Sequence, residues 1–142
     1  RSQASVHSFQ VVGENRDKLV HQALDYYNND SFWLVAPYKV FDDGVERRLV
    51  ELENGKEGLL VTYTSGGSTP GDSYLWEFDD QGKPKSFKMW TSIIPIGGLE
   101  ASWTDWITTE SGAQLPTFHK LLFIGLEIAH IKGEKRPYLN DK

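Results

Sequence analysis

Four histidines, twenty carboxylates and five tryptophans are the side chains of this 142-residue chain whose types invite a chemical reading. His7, His21, His119 and His130 show neither H-x-H nor H-E-x-x-H spacing, so no metal centre is expected from them. A turn around Ile124-Gly125 would set His119 opposite His130, within reach of one ion, whereas a turn nearer Lys120-Leu121 would separate them. The glycine-rich stretch SGGSTPGD, residues 65–72, lacks G-x-x-x-x-G-K-[ST] and precedes a strand-like run, so it is not a phosphate cradle. Its Asp72 reads as a cap on the loop's own amides. No G-x-S-x-G elbow presents a serine nucleophile, and Asp42-Asp43 and Asp79-Asp80 read as turn residues. The chain has no cysteine, which removes thiol nucleophiles, thiolate zinc sites and disulfides together. Asn29-Asp30-Ser31 is a formal glycosylation sequon that acts only on a secretory route. The sequence thus offers no catalytic residues, no metal ligands and no cofactor.

The tryptophans are the stronger signal. Trp76, Trp90, Trp103 and Trp106 fall in strand-like runs, and Trp33 opens the first such run. Over residues 99–109, alternation puts Leu99, Ala101, Trp103, Asp105 and Ile107 on one face and Trp106 on the other. Burying one such ring removes roughly 150–250 Å² from water, about 4–6 kcal/mol at about 25 cal/mol/Å². Five Trp, seven Phe and six Tyr exceed what a small dry core needs. They either fill the interior or line a groove, and Trp33, Trp90 and Trp103 are the residues expected to face any apolar ligand there.

Positioning these side chains needs a sheet and a helix. Residues 5–12 form a short β-prone run ended by Gly13. Leu19, Val20, Ala23, Leu24 and Tyr27 then recur at spacings of three and four, predicting a helix over 15–27 with Asn15 at its start and Asn28-Asn29-Asp30 at its stop. Beyond it the period falls to two. Residues 31–40 read as a strand pair or strand-turn broken at Pro37. Strands follow over 45–53 and 58–64, joined through the hairpin signal Asn54-Gly55, then over 73–79, 85–92, 99–109, 113–119 and 123–132. Turn signals every 8–12 residues make this about eight strands. The expected fold is mainly β (α+β): a curved antiparallel meander sheet or half-barrel packed on one helix, a single domain over 1–142 with residues 133–142 as a flexible tail. Leu19, Ala23, Leu24, Trp33, Leu60, Leu75, Trp90 and Trp103 are the expected core.

Composition narrows the partners. A net charge of −5 with no basic face argues against nucleic acid. The densest cationic cluster, Lys83, Lys85 and Lys88, sits beside the acidic turn Asp79-Asp80. No apolar run reaches the roughly 20 residues of a membrane helix. The chain opens on Arg1-Ser2-Gln3 without Met or a signal-type segment, so it is expected to be the C-terminal part of a longer precursor.

Residues 29–45, NDSFWLVAPYKVFDDGV, resemble a motif of uncharacterised envelope proteins from Bacteroidetes-type genomes. Thr69-Pro70-Gly71-Asp72 before Tyr74-Leu75-Trp76, and Trp103-Thr104-Asp105-Trp106 before Gly112, extend the resemblance over residues 19–133. It implies a fold similar to the lipoprotein-carrier half-barrel, in which a curved sheet wraps a helix around an apolar cavity, and a periplasmic or cell-envelope location. No activity comes with it. The chain departs from that pattern in lacking strands before the helix and a lipid-anchoring cysteine.

Three functions follow as expectations. The first is a non-enzymatic envelope protein holding an apolar small molecule or lipid on the concave sheet face against Trp33, Trp90 and Trp103. The alternative is a structural or protein-interaction domain with a filled core. The third is a hydrolase using His119 with Asp72 or Asp105.

Overall fold

The computed structural model describes residues 15–66 and 68–135, so the β-prone run over 5–12 lies outside them. One helix, α1 (Asn15–Val35), leads through a short 3-10 turn, Ala36–Tyr38, into eight strands. These are β1 (Val45–Glu51), β2 (Glu57–Tyr63), β3 (Ser73–Phe78), β4 (Pro84–Trp90), β5 (Leu99–Ser102), β6 (Thr104–Thr108), β7 (Gln114–Leu121) and β8 (Ile124–Glu127). Every pairing is antiparallel, and neighbours in sequence are neighbours in the sheet as far as β5. Among the described residues the fold is the expected mainly β meander with one helix.

β5 and β6 both pair with β7 in the same register, Ala101 opposite Leu121 and Thr104 opposite Phe118. They act as one strand interrupted at Trp103, whose N–H donates across to the Lys85 carbonyl at 2.7 Å. Asp105 then takes φ +55°, which breaks the pleat. The alternation expected over 99–109 therefore fails after Trp103: Ile107 is exposed, and Trp106 packs toward the core with its indole N–H on the Trp103 carbonyl.

The helix differs most from expectation. It passes through Asn28-Asn29-Asp30, and the strand pair expected over 31–40 is its last turn plus the 3-10 segment. Asparagine costs a helix only about 0.7 kcal/mol against alanine, while burying Phe32 and Trp33 gains several times that. The stop comes at Pro37, which disfavours helical backbone at the residue before it. The expected stripe of Leu19, Val20, Ala23, Leu24 and Tyr27 faces water, because only the last turn of α1 meets the sheet. Asn28 and Asp25 tether the exposed part to Ser68.

The core lies on one face of the sheet. Cross-strand partners Val61 and Tyr74, Trp76 and Phe87, then Phe87 and Ala101 carry a continuous apolar layer from β2 to β5, and His119 continues it on β7. Leu60 and Leu75 pair on the opposite face, where they are half-buried. The final strand ends at Glu127 rather than 132. The expected tail is anchored at its start, since the Ser111 N–H donates to the Gly133 carbonyl at 3.0 Å; residues 136–142 lie outside the described range.

This burial pattern predicts unequal costs. Trp103→Ala destabilises by about 3–5 kcal/mol, the range for deleting a buried large aromatic. Leu24→Ala changes stability by less than about 0.5 kcal/mol, because its side chain is half exposed. Urea denaturation of both variants measures the contrast.

Candidate functional site

Trp33 and Trp103 meet; Trp90 does not join them. The Trp33 ring stacks on Trp103 at 6.1 Å between centroids with planes 23° apart, and on Phe87 at 5.9 Å and 27°. Beside it Phe32, which the sequence reading passed over, packs on Tyr74 at 4.9 Å and edge-on to Trp103. Trp76 closes the cluster 4.8 Å from Trp103. The space between the helix end and the sheet is thus occupied by rings, and Trp76, Phe87, Trp103 and His119 are fully buried. Trp90 follows Met89 on β4; Met89 faces the core, so Trp90 lies on the outer face with 42% of its surface exposed. It lines an open cleft of about 450 Å³ with Pro70, Asp72, Thr91, Ile94 and Gly97. Gly97 packs against the indole edge, where a Cβ would sit 2.8 Å from Cδ1.

His119 belongs to the core, not to a catalytic pair. Its Nδ1–H donates to the Ser102 carbonyl at 2.9 Å, and its ring lies 4.4 Å from Trp103 and 5.2 Å from Trp33. Burial pushes its pKa down, partly offset by the carbonyls of Ser102 and Trp33. Asp72 bridges two loops rather than capping its own loop's amides: one oxygen accepts from the Thr69 hydroxyl of its own loop and the other from the Ser92 N–H of the β4–β5 loop. Asp105 is exposed on β6. The arrangement of His119 with either carboxylate is therefore not assembled. Burial and the nearby Asp42 push the Tyr63 phenol up to about 12, and burial raises Tyr74 as well, so both hydroxyls are neutral at ordinary pH.

The β7–β8 turn settles the question of His119 and His130. It falls at Leu122-Phe123, pairing His119 with Leu126, so His130 is not opposite. Among the described residues no three His, Cys, Asp or Glu side chains gather as a metal site, and no helix is long and apolar enough to cross a membrane.

The register also sorts the connections by end. At one end lie the turns 52–56, 79–83 and 109–113, each containing a charged residue and a glycine at positive φ: Gly55, Gly82 and Gly112. At the other lie the β2–β3 loop, the β4–β5 loop (91–98) and the β7–β8 turn. The segments 91–98 and 121–126 contain no charged residue. Spacing alone could have revealed this contrast, since TSIIPIGG and LLFIGL are apolar where hairpin connections are ordinarily polar.

Comparison with known protein families, curated proteins and solved structures gives no match to this chain.

His119 gives stability a pH dependence of definite sign. Its folded pKa lies below the value of 6.5 it has when unfolded, so below 6.5 the unfolded chain takes up a proton that the folded chain refuses. Stability attributable to this residue is constant above that pH and falls as pH drops toward the folded value. Urea midpoints measured from pH 7.5 to 5 are expected to fall, with a shallower slope in His119→Gln. An equal slope in that variant contradicts the assignment.

Proposed function

We propose that this chain is a non-enzymatic interaction domain: a rigid sheet with a filled aromatic core that works through its surface. One observation carries this reading. The face expected to take an apolar ligand is occupied by Phe32 and Trp33 seated on Tyr74, Phe87 and Trp103, with Trp76 packed on Trp103, and the Trp76 and Trp103 indoles are fully buried. Interiors packed to crystal density hold a guest only where atoms are missing. Support against a hydrolase comes from the separate engagement of His119 and Asp72. An envelope location is part of the proposal and rests on the sequence resemblance over residues 19–133 alone.

The apolar-ligand reading predicts the opposite behaviour in solution. Titration of the purified chain with a fluorescent fatty acid is expected to give no saturable one-to-one binding, and native mass spectrometry no lipid adduct. Saturable binding with energy transfer from the buried tryptophans overturns the filled-core reading.

A further inference from the structure

The apolar end of the sheet is exposed in a way that its own stability does not require. Phe123 is 90% exposed and Ile93 70% exposed, and Ile96, Leu122 and Ile124 are each more than half exposed. The β4–β5 loop and the β7–β8 turn are separated only by β5 and β7, two strand spacings or about 10 Å. Large apolar side chains exposed together at one end of a sheet are uncommon on a monomer and mark a binding surface.

The β7–β8 turn carries a second anomaly. Leu121 pairs with Ile124, so Leu122 and Phe123 form a two-residue hairpin connection, and Leu122 takes φ +51°. That left-handed backbone favours glycine, which the three turns at the opposite end supply. Here the position holds a leucine, strained in backbone and exposed in side chain. Such strain at an exposed position points to function rather than to folding.

We infer, building on the interaction-domain reading, that this end docks on a lipid bilayer surface. Ile93, Ile96, Leu122, Phe123 and Ile124 enter the apolar layer, and Trp90 lies at the boundary. Three observations select a bilayer over a protein groove. The side chains stand on two separate connections at one end of the sheet, which a fluid layer can envelop together. The segments 91–98 and 121–126 carry no charge that insertion would have to strip of water. Behind them on the outer face, Lys88 lies opposite Glu100, and Lys120 follows on β7 three residues from Phe123. Three strand residues span about 10 Å, the depth to which interfacial apolar faces sink below the headgroups. The charges of Lys88, Glu100 and Lys120 thus fall where zwitterionic phosphate and ammonium groups lie. A half-exposed indole at that level is the arrangement that membrane interfaces favour.

The test uses the full chain and phosphatidylcholine vesicles in a flotation assay, with a Leu122→Gly/Phe123→Ser double variant. Glycine suits the φ of residue 122, so melting temperature is expected to hold or rise. Vesicle partition is expected to fall by at least about tenfold, the factor for withdrawing one large apolar side chain. Gln81→Ala, at the charged end, is expected to partition like the unaltered chain. No vesicle binding by the unaltered chain, or equal binding by the double variant, overturns the inference. So does a concentration-dependent dimer in sedimentation that the double variant dissolves without any vesicle binding, which would make a second copy the occupant. The filled-core reading fails on a different result, saturable fatty-acid binding by both proteins, whatever the vesicles do.

Discussion

The seating of Phe32 and Trp33 on the sheet is the contact that the remaining structure depends on. Among the described residues it is the main apolar link between helix and sheet, since residues 16–30 are exposed. Helical stability in proteins comes mostly from tertiary packing, and the last turn of α1 is the part that packs on the sheet. The two rings reach Tyr74, Phe87, Trp103 and His119, which come from four different segments. Removing the pair would uncover the apolar layer of a sheet whose edge strands, β1 and β8, do not meet to close it.

Filling the interior with indoles has a polar cost. Trp76 Nε1, Trp103 Nε1 and His119 Nε2 are buried without a protein hydrogen-bond partner among the described residues. Each such group costs on the order of 1–3 kcal/mol, comparable to much of what one ring gains by burial. The cluster therefore stabilises through area and ring contacts, several of them edge-to-face, more than through satisfied polar geometry. Burial likewise explains the depressed basicity of His119: desolvation of the ring opposes an added proton, and the Ser102 and Trp33 carbonyls offset this only in part. The outer face and the loop end are where the molecule has freedom to meet something else, and their chemistry differs from end to end.

Local rules made the sheet legible. Asn54-Gly55 and Gln81-Gly82 fall in turns where the chain needs positive φ. Alternation on β3 and β4 holds, but the inward face carries Trp76 and Phe87 rather than the expected Leu75 and Trp90. The failures share one cause, which is contact between segments distant in sequence. The stripe Leu19, Ala23, Leu24 satisfies helical spacing but finds no surface to cover among the described residues, because the helix docks by its end. Asn28-Asn29-Asp30 reads as a stop only if Phe32 and Trp33 are not needed as helical neighbours. Residue type alone groups Trp90 with Trp33 and Trp103, whereas alternation with the inward-facing Met89 puts it on the outer face. Nothing local announces that Asp105 takes left-handed backbone and so hands the inward position from Ile107 to Trp106.

The claim that the space beneath the helix end is filled can be measured by opening it. Trp33→Ala removes an indole from the contact with Phe87 and Trp103 and leaves a gap of matching shape. Thermal melting is followed for the unaltered chain and for this variant, with and without millimolar indole. A filled core predicts that indole raises the melting temperature of Trp33→Ala by several degrees and leaves the unaltered chain unchanged, since only a protein with a vacated site binds the ring in its native state. An equal rise in both proteins would show that the unaltered interior already has room for an aromatic guest, and would contradict the account.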